Sequence, residues 1–380
     1  MKIAFSYLGC HRRGGVERIV LECARWMSGR GHDVHVWTRE WDESPEYSIQ
    51  FHRVPAATGP SFRSGLQFKI ESEKMLRDED FDVLSTHGVI CPTNGVLWTQ
   101  SVHRSWLDKS REHRGAWSSS GLKQRINPVH RVILALEEEH YRQRKYGRIV
   151  ATTEYLRDDL KKYYDVPSED VDVIPNGFNP NEFSPQVRAS RRAEMRAQLG
   201  LEPNDIALLF AANELERKGY RTILEAMKRL NRPEIKLVAI GRTSRDEAVA
   251  LAKEFGVQDR VLVQGSSSDV AGYHAAADLF VLPTQYEAFC LAILESLGSG
   301  LPVLTTRVPG AQDAIVPNVN GALIDDPKSG EQLAHALAPF LERDYREQVT
   351  STTPATSDIY QWPRVFEQYE SILQRWAKSS

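Results

Sequence analysis

Residues 283–313 read PTQYEAFCLAILESLGSGLPVLTTRVPGAQD and form the most specific stretch of the chain. Glu287 and Glu295 stand eight residues apart, about 12 Å along the axis if one helix carried both. Glycosidase carboxyl pairs sit roughly 5–9.5 Å apart around one bond, so these two are not such a pair. The pattern puts Glu287 in the loop before a helix and Glu295 within it, where they grip different parts of an elongated ligand. Outward from this stretch, short apolar runs at 206–211, 236–241, 260–264, 279–283, 302–306 and 321–324 alternate with helical segments. That is the pattern of a doubly wound α/β sheet.

The first half has the same pattern. Residues 2–7 form an apolar strand that runs into Gly14-Gly15. Val16, Ile19, Val20, Cys23, Ala24 and Met27 then keep helical spacing up to Gly29 and Gly31. Residues 33–38 alternate as the next strand, which completes a βαβ unit, and further strands are expected at 83–86, 95–99 and 148–152. The run VDVIPNG at 171–177 closes this half, and residues 179–196 read as a linker entering a helix. The fold class is therefore α/β: two Rossmann-like, doubly wound parallel-sheet domains. Ligands bind outside the carboxyl ends of such strands, and two facing sheets would form an interdomain cleft.

Composition bounds the function. With 380 residues, 41% of them hydrophobic, the chain can build two cores, and a formal net charge of -3 gives no footprint for nucleic acid. Cys10, Cys23, Cys91 and Cys290 are scattered without a CxxC pair or a zinc-ligand spacing, which suits a cytoplasmic protein. The opening MKIAFSYLGCHRRGG is too short in its apolar run for a signal peptide, and no run reaches the roughly 20 apolar residues of a membrane helix. Membrane contact would be peripheral. Residues 101–150 carry eleven Lys/Arg against five Asp/Glu. Within them, 104–146 reads as a loop with the polar run Ser118 to Gly121 and then a helix around 131–141. This segment is either a solvated face or a site for an anionic acceptor or membrane surface.

Paired cations in Glu216-Arg217-Lys218-Gly219, just past the strand 206–211, suit a pyrophosphate, because Arg clasps two oxygens and Lys adds a compact charge. Gly14-Gly15-Val16-Glu17 is not GxGxxG and no ribose-binding acid follows on a second strand, which disfavours a nicotinamide dehydrogenase. His103 lies just past a strand end, as His87, His11 and Asn94 lie near others, and for those three a bland structural role is favoured.

The E-x7-E segment, Arg217-Lys218-Gly219 and the Gly14-Gly15-Val16-Glu17 loop together resemble the retaining GT-B glycosyltransferases of family 4, over nearly the whole chain. Within that family the likeness is to bacterial lipopolysaccharide-core glucosyltransferases. The resemblance implies an acceptor domain of residues 1–178, completed by a C-terminal helix at 362–380, and a donor domain of residues 179–361. Asn176-Gly177 would be the hinge between them. By the same resemblance Glu295 binds the ribose hydroxyls and Glu287 contacts the donor sugar. Backbone N–H groups of Ala288, Phe289, Cys290 and Leu291 face the diphosphate at a helix N-terminus, and Arg217 and Lys218 clamp it.

Gly14 and Gly15 let diphosphate or acceptor approach closely, and Gly241 and Arg242 lie near the base or phosphates. His103 stands beside the donor sugar, and Gly310 to Asp313 close the sugar pocket. Cys290 replaces the family's usual glycine and would crowd that pocket. The implied catalytic set is Glu287, Arg217, Lys218 and His103. The implied reaction transfers a hexose, glucose first, from a UDP-sugar to a glycan or glycolipid acceptor with retention. These motifs contain no Asp-x-Asp suited to a metal–diphosphate bridge, so neither metal nor cofactor is expected. An epimerase or phosphorolytic enzyme on the same fold, and a non-catalytic sugar-nucleotide sensor, are the rival readings.

Overall fold

The computed structural model describes residues 1–57, 62–114 and 127–377. The chain divides into two compact units, Met1–Asn176 with Pro363–Ser380, and Gly177–Trp362. The first division falls two residues before the expected boundary and the second one residue after it.

The first unit holds a seven-stranded sheet. Its strands are β1 (Lys2–Ser6), β3 (Asp33–Thr38), β5 (Ile49–Arg53), β6 (Val83–His87), β7 (Val96–Thr99), β8 (Arg148–Ala151) and β9 (Val171–Val173). They lie in the order β5-β3-β1-β6-β7-β8-β9, and every neighbouring pair is parallel. A two-stranded parallel ribbon, β2 (Gly9–Cys10) with β4 (Glu40–Trp41), extends the carboxyl ends of β1 and β3. Strand β5 was not expected from the sequence. IQFHR is a half-buried edge strand with no apolar run to announce it.

The C-terminal helix Trp362–Ala377 belongs largely to this unit. Tyr369 hydrogen-bonds Ser85 at 2.7 Å and packs at a tilt on Trp98, Glu370 meets His32 at 2.6 Å, and Phe366 packs on Trp26.

One expectation is corrected here. Residues 104 onward do not begin as a loop, because His103–Arg114 is a helix. Its mean hydropathy is low, so nothing local predicts it. What fixes its start is the buried Glu137, distant in sequence, whose carboxylate accepts the N–H groups of His103 at 2.5 Å and Arg104 at 3.1 Å. The helix expected around 131–141 runs over Pro128–Glu137, capped by Asn127 and continued as a wider turn over Glu138–Arg142. The run Ser118 to Gly121 lies outside the described residues.

The second unit holds six parallel strands: β10 (Ile206–Ala211), β11 (Ile235–Ile240), β12 (Val261–Gly265), β13 (Leu279–Leu282), β14 (Val303–Thr306) and β15 (Gly321–Ile324). Their order is β12-β11-β10-β13-β14-β15. Helices on both faces complete a core that includes Phe210, Phe280, Leu294, Val303 and Leu337, all at most 1% exposed. Such burial on both sides explains why the inner strands β10 and β13 are legible as unbroken apolar runs. The chain reverses its direction of growth across the sheet between β10 and β13, the place where doubly wound folds open a crevice.

Candidate functional site

The crevice at that switch point is built by three loops. The loop after β10 carries Asn213 to Gly219, the loop after β11 begins with Gly241-Arg242, and the loop after β13 carries Pro283 to Cys290. The backbone ties them together: Gln285 N–H donates to the Arg217 carbonyl at 2.9 Å, and Arg242 N–H donates to the Asn213 side chain at 2.9 Å. Two glycines permit the approach. A Cβ on Gly219 (φ +79) would run into the Pro283 carbonyl, and one on Gly241 (φ +134) into the Ala212 carbonyl.

Arg217, Lys218 and Glu287 converge in this crevice. The Lys218 ammonium and one Arg217 nitrogen, at 3.2 Å, close on the same Glu287 oxygen. Arg217 also donates to the Tyr286 carbonyl at 2.9 Å, and its fork clasps Glu214 with two bonds of 3.0 and 2.8 Å. Burial holds the Lys218 pKa below the ordinary lysine value, with the Arg217 guanidinium adding to the effect. Two half-buried cations gathered beside a sheet's carboxyl end are suited to a diphosphate.

The helix Leu291–Gly298 starts here, with Cys290 at its N-cap and no side chain capping it, so its first N–H groups face the same crevice. Ala288 and Phe289 lie in the loop just before it. Glu287 thus precedes the helix, and Glu295 lies on its fifth residue, 4% exposed. Gly310 (φ +71) abuts the Ala288 carbonyl and Phe289, which places the segment 310–313 against this loop.

Gly14, Gly15 and His103 belong to the first unit. Gly14 and Gly15 begin the helix Gly15–Gly29 beside that unit's own switch point, between β1 and β6. They differ from each other: a Cβ on Gly15 would meet nothing within 4 Å, whereas one on Gly14 would strike the Glu17 carboxylate. The His103 ring lies 3.0 Å from His130 Nδ1 and stacks on Trp106. Burial, reinforced by His130, pushes its pKa down to about 4, so the ring is neutral at physiological pH. His87 is fully buried among Phe5, Tyr7 and Trp98, with neither ring nitrogen hydrogen-bonded, and His11 lies 3.5 Å from Glu40.

The sequence did not single out Glu214, Asn213 or Glu137. Glu214 sits three residues before Arg217 in a short loop, and that spacing was the one available signal. Many described cations of the basic segment have partners: Arg111 with Asp108, Arg142 with Asp165, Lys145 with Glu139, and Lys109 over the Tyr155 ring. Among the described residues no group of three or more His, Cys, Asp or Glu side chains is placed to hold a metal, and no helix is long and apolar enough to cross a membrane.

Residues 13–182 match the family model described as Glycosyltransferase Family 4, and residues 191–354 match Glycosyl transferases group 1. The lipopolysaccharide glucosyltransferase WaaG of Escherichia coli is 26% identical over 345 residues, 90% of each chain. A D-inositol 3-phosphate glycosyltransferase of Xylanimonas cellulosilytica is 27% identical over 384 residues, covering 92% of this chain and 88% of the relative. A crystal structure of WaaG superimposes with a TM-score of 0.84 at 23% identity, covering 98% of this chain and 99% of that one. The structure of Anabaena HepE in complex with UDP-glucose superimposes at 0.73 with 18% identity, covering 99% of this chain and 100% of that one.

Proposed function

This chain is a GT-B glycosyltransferase of the family 4 type, and from that premise we propose that it moves a hexose, glucose first, from a UDP-sugar to a hydroxyl of a glycan or glycolipid acceptor, with retention and without metal. The observation that carries the donor side is the convergence of Arg217, Lys218 and Glu287 at the switch point of the second unit. The relatives, a lipopolysaccharide glucosyltransferase and a protein solved in complex with UDP-glucose among them, support the choice of donor and acceptor class.

In this mechanism the bond from the anomeric carbon to the diphosphate oxygen breaks as the acceptor oxygen bonds to that carbon on the same face. The acceptor's proton passes to the departing diphosphate, and UDP leaves. Arg217 and Lys218 stabilise the charge that grows on the leaving group, worth most in a water-poor site. Glu287 orients the sugar, and Glu295 binds the ribose hydroxyls. His103, neutral, orients the acceptor side. Membrane contact through 104–146 is secondary, because so many of its described cations are already paired within the protein.

A thermal-shift panel of UDP, GDP, ADP and their sugars, with and without Mg²⁺, tests the donor assignment on wild type, Arg217→Ala and Glu295→Ala. Selective stabilisation by UDP species, indifferent to Mg²⁺ and lost in both variants, is the expected result. No nucleotide shift, or one that requires Mg²⁺, overturns it. NMR of the product linkage decides retention.

A further inference from the structure

The amino end of the second sheet carries a separate cavity of about 640 Å³, within the range of small-molecule sites. Its walls include Ile206, which opens β10, and Asp278, which precedes β13. The donor crevice lies at the carboxyl end of the same strands. A six-residue strand spans roughly 20 Å, so the two places are distinct.

Arginine dominates this cavity. Arg188 and Arg192 project from one face of the helix Pro185–Gln198, with Arg196 a turn further on, and Arg343 and Arg346 come from the helix Arg343–Thr352. The acids beside them are already engaged. Asp278 accepts from Arg192 at 2.5 Å, from Arg196 at 3.2 Å and from the Ala207 N–H at 2.8 Å. Glu234 is held by Arg232 at 2.6 Å, Glu347 by Arg343 at 2.8 Å, and Asp205 by the Glu202 N–H at 2.8 Å.

Arg192 and Arg196 have a structural purpose, since they also cap the carbonyls of residues 275–277 at the end of the helix Val270–Ala276. Arg188 and Arg346 also cap helix ends, Arg346 that of the helix Gly330–Leu341, but each does so with one nitrogen only. Arg188 donates only from Nη2, to the Ala277 carbonyl at 2.9 Å, and its buried Nε has no partner. Arg346 donates only from Nη1, to the carbonyls of Phe340 and Leu341. Neither has a carboxylate within ion-pair distance among the described residues. A half-buried guanidinium without an anion is an unfavourable arrangement on its own. The crowding is felt: burial, with Arg192 beside it and only the more distant Asp278 opposing, pushes the Arg188 pKa down to about 10.

We propose that Arg188 and Arg346 form an anion site at the amino end of the second sheet, which takes the phosphoryl group of a small metabolite. Two planar forks with free N–H groups match the oxygens of a phosphate, and the cavity has room for the rest of a small phosphate ester. Such a ligand would not compete with the donor.

The test is a thermal-shift titration with inorganic phosphate and with a hexose phosphate, ionic strength being held constant with KCl. A saturable rise in Tm of roughly a few degrees is expected. It should be lost in Arg188→Gln and in Arg346→Gln and kept in Arg217→Ala. An undiminished UDP shift in the first two variants shows that they are folded. Arg188→Lys, which keeps the charge but not the fork, should retain only part of the effect. The proposal is overturned if neither anion gives a saturable shift, if the shift survives both glutamine variants, or if Arg217→Ala abolishes it, which would place the anion in the donor crevice.

Discussion

Glu137 accepts the backbone N–H of His103 across 34 positions of sequence, at 2.5 Å, and, besides that of Arg104, takes a further bond of 2.6 Å from the Tyr164 hydroxyl. Burial pushes its pKa from the ordinary 4.5 up to about 7. The folded protein thus keeps a proton there that the unfolded chain releases above about pH 4.5. Stability from this group is full below pH 4.5 and is lost as pH rises through 7, on the order of 3 kcal/mol in all. Urea midpoints of wild type and Glu137→Gln at pH 5 and pH 8 check this. The wild type should lose stability relative to the variant at the higher pH; parallel pH profiles would refute it.

Without nucleotide, Glu287 is the counter-charge of Lys218, whose side chain is only 12% exposed. Glu287→Ala should therefore cost about 3 kcal/mol of donor-free stability, since it strands a buried cation. Saturating UDP replaces the lost negative charge, so the UDP-induced rise in Tm should be larger in the variant than in wild type. An equal or smaller rise means that the diphosphate does not reach Lys218.

Glu295→Gln retains the shape of the buried side chain but removes the charge. If Glu295 holds the ribose hydroxyls, calorimetry should show UDP binding weakened roughly 10- to 100-fold, the worth of hydrogen bonds to a charged group. Unchanged affinity would reassign Glu295 to the packing of its helix.

Gly241→Ala and Gly15→Ala should differ sharply. The first forces a Cβ into the Ala212 carbonyl at φ +134 and should cost more than about 2 kcal/mol while abolishing the UDP shift. The second meets nothing within 4 Å, and its Tm should hold to within about a degree. Chemical denaturation of both variants reads the contrast.

Cys290 occupies the N-cap position of the helix Leu291–Gly298, beside Lys218, where the sugar is expected. Cys290→Gly should raise kcat/KM for a bulkier 2-acetamido donor relative to UDP-glucose by about 10-fold, the scale of a small steric change in a pocket. An unchanged ratio would place the thiol outside the sugar pocket.

Inner strands of the second sheet were legible because burial on both faces makes them apolar runs, as in LLF at 208–210 and LFVL at 279–282, whereas β3 of the first sheet was legible by its alternation. Arg217, Lys218 and Glu287 were legible because each lies a few residues past such a strand, where doubly wound topology gathers loops. Strand β5 was not, since an edge strand alternates weakly. Nor was the helix His103–Arg114, whose start depends on a carboxylate 34 residues away. The Arg188–Arg346 cavity was hidden for the same reason: it exists only once distant segments meet.

The helix Trp362–Ala377 supplies Tyr369 and Glu370 to the first unit after the whole second unit has been threaded. On a ribosome, residues 1–176 emerge first yet cannot seal the surface around Trp98 and Ser85 until the last helix arrives. The later-made unit, an uninterrupted segment, can mature before the earlier one. Synthesis order and completion order are therefore inverted.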